Sequence, residues 1–483
     1  MSKRRLALAA GLVACAVAAL VAAAVQPAAA RGPAFTNFSL AETTGTTCPG
    51  SSACSNIAAE PAIRADGNGN FFASSENGLG GGTVAFRSTD GGLHYTTLLS
   101  PNGVSSANDT GFAPGGGDTD LAVAPAKNAQ GNYNVYVASL SLANVDVSTS
   151  TDRGQTWTLN PVSATISGDD REWIAADGAS KVCISYHDVA TFNLDVNCSS
   201  DAGATFTQLG DAIDVAHAYQ IDNNESGNLA IDPKTHVIYQ AYSAITSPTE
   251  VVNGQANADY HGVYVGVSTD GGQTFVDHAV YVNPDPNVQY GSQFTVVAVD
   301  RNGAVYTAFC DGHDIYFSYS TDQGTTWSAP KLVNPGGTAI FPWLAAGKGG
   351  KVDLVFYGTT YRDTSTPVDS YPDSAAWVVA FAQNLNATSR NGSFAIQAAS
   401  PTVHLGAVCR GGVSCTGSRD LFDDFGVAAS PTTGLASIVY SDDQFDPSGP
   451  NSSGCTQSTS NTSSCDHTAI ATQTSGKGIF PNK

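Results

Sequence analysis

One eight-residue phrase is written five times along this 483-residue chain. It reads STDGGLHY at 88–95, STDRGQTW at 150–157, SSDAGATF at 199–206, STDGGQTF at 268–275 and STDQGTTW at 320–327. Every copy is Ser-Ser/Thr-Asp-x-Gly-x-x-aromatic and follows a short alternating apolar run. The chemistry of such a turn is local: the aspartate (Asp90, Asp152, Asp201, Asp270 or Asp322) accepts hydrogen bonds from turn N–H groups. The glycine takes a positive φ that a Cβ resists, and the aromatic closes over the hairpin. Copies 49 to 69 residues apart, starts compared, point to a repeated supersecondary unit.

A second repeat interleaves with the first: a short Ala-rich strand, a Gly/Asn/Pro turn, then a β-branched and aromatic strand. It occurs seven times, at 61–74, 120–139, 173–186, 228–242, 296–309, 343–357 and 425–440. The first five copies each precede an Asp-containing hairpin, so each unit supplies four strands, A to D. This predicts an all-β chain: a β-propeller of seven four-stranded blades over 34–476, with six blades as the alternative. The seventh unit lacks a strand D, and FTNFSLAET (35–43), within an N-terminal segment 31–47, has no partner of its own. Closing the ring with that strand removes an exposed edge. Residues 477–483 read as a tail.

The five Asp phrases resemble the Asp-box (BNR) repeat of the sialidase superfamily. The resemblance implies a propeller and, as leading activity, a secreted glycoside hydrolase of exo-α-sialidase type. Such enzymes hold the sialate carboxylate with three arginines and use a tyrosine activated by a glutamate, with an aspartate as acid/base. The first of those arginines sits in a Phe/Tyr-Arg-Ile-Pro motif, which Glu60-Pro-Ala-Ile-Arg64 does not reproduce. Carried over, the resemblance marks Arg64, Asp170, Arg171, Glu225 and Arg362 as catalytic candidates, with Arg410 and Arg419 as further arginines. Tyr290, Tyr357 and Tyr361 are candidate nucleophiles. The alternative is a non-catalytic secreted propeller that binds glycan or protein, since the same boxes occur in propellers without activity.

Acidic residues gather where strands A begin and strands B end, one face of a propeller, and the longer insertions fall there too. Carboxylates converging on one mouth suit Ca²⁺, with Asp118, Asp120, Asp423 and Asp424 as candidate ligands. They also suit paired acid/base work. Tyr186, His187, Asp188, Asp311 and Tyr357, at the strand B ends, are candidate binding residues.

Residues 1–30 read as a signal peptide: Lys3, Arg4 and Arg5, an apolar Leu6–Val25 run, and Ala28-Ala29-Ala30 as cleavage site. An uncleaved anchor is the competing reading, because twenty apolar residues can span a bilayer. Cleavage leaves 18 Lys and Arg against 42 Asp and Glu, a net charge of −24. That balance argues against nucleic acid or an anionic membrane as partner and leaves a carbohydrate or glycoconjugate ligand. The oligomeric state stays open. The cysteines pair by proximity as Cys48/Cys54, Cys183/Cys198, Cys409/Cys415 and Cys455/Cys465, expected as disulfides in a secreted chain, with Cys310 left over.

Overall fold

The computed structural model describes residues 32–40, 59–76, 82–102, 117–141, 144–165, 169–188, 190–412, 415, 419–423, 425–444 and 467–480. The expected leader at 1–30 lies outside these residues, as does Asp424. The side chain of Asp170 does too.

Seven four-stranded antiparallel sheets follow one another, the blades of a β-propeller; the six-blade alternative falls away. Strand A is Ala59–Ala65 in blade 1, Thr119–Lys127 in blade 2, Asp169–Asp177 in blade 3 and Asn224–Ile231 in blade 4. It is Val296–Val299, Thr338–Ala346 and Gly426–Ala429 in blades 5 to 7. Strands A converge on the axis, which explains their alanines: at the position of Arg64, the other six units carry Ala122, Ala175, Ala230, Ala298, Ala345 and Ala428. These seven side chains line a central channel. Larger apolar groups, among them Tyr136, Tyr239 and Trp377, fill the spaces between blades and are excluded from water, while buried Trp173 reaches across the axis to Trp343, 5.5 Å between ring centres.

The five Asp phrases are strand C–D hairpins with one geometry. In blade 2, Ser150 Oγ donates to Asp152 Oδ1 (2.8 Å), Gly154 N donates to Ser150 Oγ (2.7 Å), and Thr156 N donates to Asp152 Oδ1 (2.9 Å). The same three bonds recur around Asp90 and Asp270, with His94 N and Thr274 N as third donors. They recur around Asp201 and Asp322 with Thr205 N and Thr326 N. The glycine of the phrase is required twice over. Gly154 has φ +81°, and a Cβ there would lie 2.4 Å from Leu98 Cδ1 of the preceding blade.

Strand Ala34–Ser39 pairs with His467–Ser475 and completes blade 7, in the order 426–429, 436–442, 467–475, 34–39. The tail does not trail away. Ile479 is fully buried, its N–H bonded to Gly434 O and its C=O to Lys348 N, and it caps the channel at the end opposite the strand A starts.

Two of the four expected disulfides are formed. Cys183 and Cys198 face each other in the strand B–C register and are bonded, as are Cys409 and Cys415. The other two pairings, Cys48 with Cys54 and Cys455 with Cys465, fall outside the described residues. Cys310 is a buried free thiol. No helix among the described residues is long and apolar enough to cross a membrane.

Candidate active site

Aligning the seven units on Ile63, Leu121, Ile174, Leu229, Val297, Leu344 and Val427 exposes a column three residues earlier. It reads Glu60, Asp118, Arg171, Ser226, Phe294, Phe341 and Asp424. At this level the strands leave their pleat. The register slips between Ala59 and Ala62, Asp170 and Glu172, Ser226 and Leu229, and Ile340 and Trp343. Glu60 and Arg171 both take φ +47° and Phe341 takes +54°. A left-handed residue with a Cβ costs on the order of 1 kcal/mol or more, a strain that collects at functional sites because it re-aims a side chain.

Here it aims them at the axis. Glu60, Asp118, Arg171, Phe294 and Phe341 line one cavity of about 670 Å³, joined by Glu225, Gln293, Arg410, Arg419, Phe422 and Asp423. That volume falls within the ~300–1,000 Å³ usual for small-molecule sites.

Three guanidinium groups therefore meet at the mouth, each matched by carboxylates. Arg171 Nη1 is 3.4 Å from Asp118 Oδ2 and 3.7 Å from Glu60 Oε2. Its guanidinium lies 4.2 Å from the Trp173 ring centre and 4.7 Å from that of Phe294, a cation–π seat that fixes its plane. Arg419 Nη2 donates to Glu60 Oε1 and Asp423 Oδ2, both at 2.9 Å. Arg410 Nη1 donates to Ser292 Oγ at 2.9 Å, and its Nε faces Asp369 Oδ1 at 3.3 Å.

The carboxyls are driven apart in acidity. Burial, then the charge of and hydrogen bond to Asp118, then Glu76 and Asp423, push Glu60 well above the usual carboxylate range despite the Arg419 bond. Asp118 is half-buried, which works against its charge, but Arg171, the hydrogen bond from Glu60 and Arg419 bring it below its ordinary value. Glu60 holds the proton and Asp118 the charge. Glu172, fully buried beside Arg171, is likewise pushed well up, by burial and then by Asp118.

Of the residues marked from the sequence, Arg171, Arg410, Arg419, Glu225, Asp118 and Asp423 line this cavity. Arg64 and Arg362 do not reach it. Arg64, four residues deeper along strand A than Glu60, turns into the channel, where it pairs with Asp120 at 2.9 Å and lies over Trp343. Arg362 forms a two-pronged pair with Asp314, 2.8 Å on each arm.

The expected calcium seat is not assembled from Asp118, Asp120 and Asp423. Each faces a guanidinium, of Arg171, Arg64 and Arg419 in turn, which supplies the positive charge that a cation would. Among the described residues, the trios with ligand atoms mutually within 4.8 Å are Asp214/His217/Asp277 and His404/Asp420/Asp443.

The candidate binding residues hold their own loops instead. Tyr186 is buried, its hydroxyl donating to Asp195 and accepting from Thr165 N. Asp188 accepts from Ala190 N and Thr191 N, and His187 Nε2 meets Phe192 O at 3.1 Å. Asp311 caps His313 N and Asp314 N, and the Tyr357 hydroxyl bonds the Ser441 backbone. Of the candidate nucleophiles, Tyr290 is buried with its hydroxyl bonded to Asn283. Tyr260, which no sequence motif marks and which is not part of the cavity lining, lies near Glu225: a Cβ on Gly291, which does line the cavity, would touch both.

No known family model matches the chain, and no curated protein matches it. Solved structures do. A polysaccharide lyase, ulvan lyase, is 10% identical with a TM-score of 0.48, covering 88% of this chain and 94% of its own. A protein of unknown function from Dyadobacter fermentans is 14% identical with a TM-score of 0.45, covering 87% and 95%. A Hadza microbial sialidase is 13% identical with a TM-score of 0.40, covering 62% and 63%.

Proposed function

We propose that the protein is a secreted glycan-directed glycoside hydrolase acting on an acidic sugar, with exo-α-sialidase-type cleavage as the leading named reaction. One observation carries this reading: Arg171, Arg410 and Arg419 line the same cavity as a carboxyl pair that shares a proton. Guanidinium groups recognise a carboxylate in two-pronged fashion, and a carboxyl kept protonated by burial can protonate a departing glycosidic oxygen.

Glu60 and Asp118 are hydrogen-bonded, so they cannot flank a scissile bond as separate acid and nucleophile, which need about 5 Å or more between them. They act as one acid unit, Glu60 giving the proton and Asp118 with Arg171 steadying the charge left behind. The opposing group comes from blade 4, three blades round the ring, where Glu225 stands beside Tyr260. Burial and then the Glu225 charge raise the Tyr260 pKa, so the phenol keeps its proton until Glu225 takes it during attack. The sialidase resemblance marks Tyr290, Tyr357 and Tyr361 for this role; Tyr260 replaces them in this reading because it is the tyrosine that lies near Glu225.

The arginines are already paired with carboxylates, which favours a second reading, a glycan-binding module. Release of free sialic acid from sialyl-lactose separates the two. Hydrolysis abolished by Tyr260→Phe and weakened by Arg410→Ala supports the enzyme. Binding of sialyl-lactose without release supports the module.

A further inference from the structure

We propose that His404 is a proton-operated clip that holds the arginine-bearing loop of the mouth in place, so that ligand affinity at the site falls when the imidazolium is discharged. The effect on affinity rests on the acidic-sugar reading above; the clip itself rests on geometry outside the cavity.

His404 lies near the end of strand D of blade 6 (Ala395–Leu405) and is wholly buried. Its Nδ1 is 2.8 Å from Asp443 Oδ2 and its Nε2 is 2.8 Å from the Ala407 carbonyl. A carboxylate and a carbonyl can only accept, so both ring nitrogens must donate, and only the imidazolium does that.

The groups around the ring come from three elements. Asp443 follows strand B of blade 7 and is itself held by Gln444 Nε2 at 2.7 Å. Asp420, buried, comes from the mouth loop and brings a carboxylate oxygen within 4.8 Å of the other two ligand atoms. Across the strand C register stands Trp377, uncharged, its indole N–H bonded to Gly406 O at 2.9 Å. Burial works against charge on the ring. The Asp443 bond and charge, the Ala407 carbonyl and Asp420 outweigh it, and the His404 pKa lies above the ordinary histidine value.

The ring bonds the loop at Ala407 and acts on it electrostatically at Asp420. Ala407 precedes Arg410, and Asp420 adjoins Arg419. Between them the Cys409–Cys415 bond ties off the segment that carries Arg410. Loss of the proton turns one ring nitrogen into a lone pair facing another acceptor. The contact becomes repulsive, and the loop that carries Arg410 loses its tie at Ala407, leaving the arginines to their own side-chain bonds. The folded chain binds this proton more tightly than the unfolded one. The stabilisation is therefore complete below the unfolded value of about 6.5 and disappears as pH rises through the higher folded value.

Hydrogen–deuterium exchange on the full chain tests the clip without reference to activity. The Gly406 and Val408 amides are bonded to Ala375 O and Val368 O, so their protection reports whether the loop is seated. After correction for intrinsic exchange, their protection should fall at least tenfold as pH rises from 5 to 9, and recover on return. His404→Gln should abolish that dependence. Asp443→Asn, which removes the charge partner, should move the midpoint down by about one pH unit or more. Protection that is flat with pH in the wild type, or the same fall in His404→Gln, overturns the clip. If His404→Gln does not fold, an unmoved midpoint in Asp443→Asn overturns it. Sialyl-lactose affinity, titrated in parallel, should fall with protection. A protection switch with no sialyl-lactose binding at any pH would leave the clip standing and dispose of the sialoside reading.

Discussion

Arg171 reaches across a blade boundary to Asp118, its Nη1 3.4 Å from Oδ2, while both residues occupy the same position in successive repeats. A repeat unit built for packing thus supplies, from one column, both the cation and the anion of the mouth.

That pairing sets the cost of breaking it. Arg171→Ala leaves Asp118 without its nearest positive charge in a largely buried setting, and should destabilise the fold by about 3 kcal/mol. Arg171→Lys keeps the charge but loses the planar seat over Trp173, and should cost less. Denaturant melts compare the three. A loss under about 1 kcal/mol for the alanine variant would refute this account of the network.

The Asp turns lie on the opposite face and should be separable from the site. Asp152 caps Gln155 N and Thr156 N at an exposed edge, so Asp152→Ala should cost only about 1 kcal/mol. Ligand binding in the folded fraction should equal that of the wild type. A variant that melts normally but binds nothing would contradict this assignment.

Stability should peak on the acid side of neutrality. Asp195 is raised to about 7 by burial and by Asp211 across the strand, and Asp277 to about 7 by burial and Asp214. Burial raises Asp353 to about 8. These groups bind protons more tightly folded than unfolded, so stability falls as pH climbs from about 4 to about 8. The turn carboxylates oppose them: hydrogen bonds from Ser and Thr side chains hold Asp201, Asp270 and Asp322 at about 2. Their contribution is present above about pH 4 and lost as pH drops towards 2. Thermal melts should therefore give a higher Tm at pH 5 than at pH 8 or pH 2.5.

The two disulfides should do different work. Removing Cys183–Cys198, which joins neighbouring strands inside blade 3, should lower stability by about 3 kcal/mol and spare ligand affinity. Removing Cys409–Cys415 should cost about 2 kcal/mol or less, yet weaken ligand binding because Arg410 lies within the bridged loop. Calorimetry and ligand titration on the two double-serine variants read both effects. Cys310 should resist thiol reagents until the chain unfolds, since burial pushes its thiol far above the ordinary value.

The blades were legible because their signals are local. An Asp and a Gly at set offsets dictate a turn, and Ala-rich strands dictate where the axis lies, so seven units and the closing strand follow from spacing. The mouth was legible only in part. Arg64 and Glu60 sit four residues apart on one strand, and nothing in their identity says that the first enters the channel and the second the cavity. The bulge that decides it is a backbone event at residues with no glycine to announce it. Aligning the repeats by column, rather than collecting acidic residues by region, would have joined Glu60, Asp118 and Arg171. Asp118, Asp120 and Asp423 suggested calcium because their count was visible and their arginine partners, distant in sequence, were not. Arg362, Tyr186 and Asp188 show the same limit: a polar residue at a strand end reads alike whether it serves a ligand or its own loop.

The ring is fastened inside blade 7, where Ala34–Ser39 pairs with His467–Ser475. Thr474 Oγ1 reaches Ala34 O across 440 residues of chain. The Arg419–Glu60 bridge crosses the neighbouring boundary, linking the approach to blade 7 with the start of blade 1. A chain missing residues 467–475 leaves Ala34–Ser39 without a pairing strand and blade 7 incomplete beside that bridge. The mouth is therefore tied to closure of the ring: a copy without that strand keeps every Asp turn but should hold Arg419 and Glu60 together less firmly.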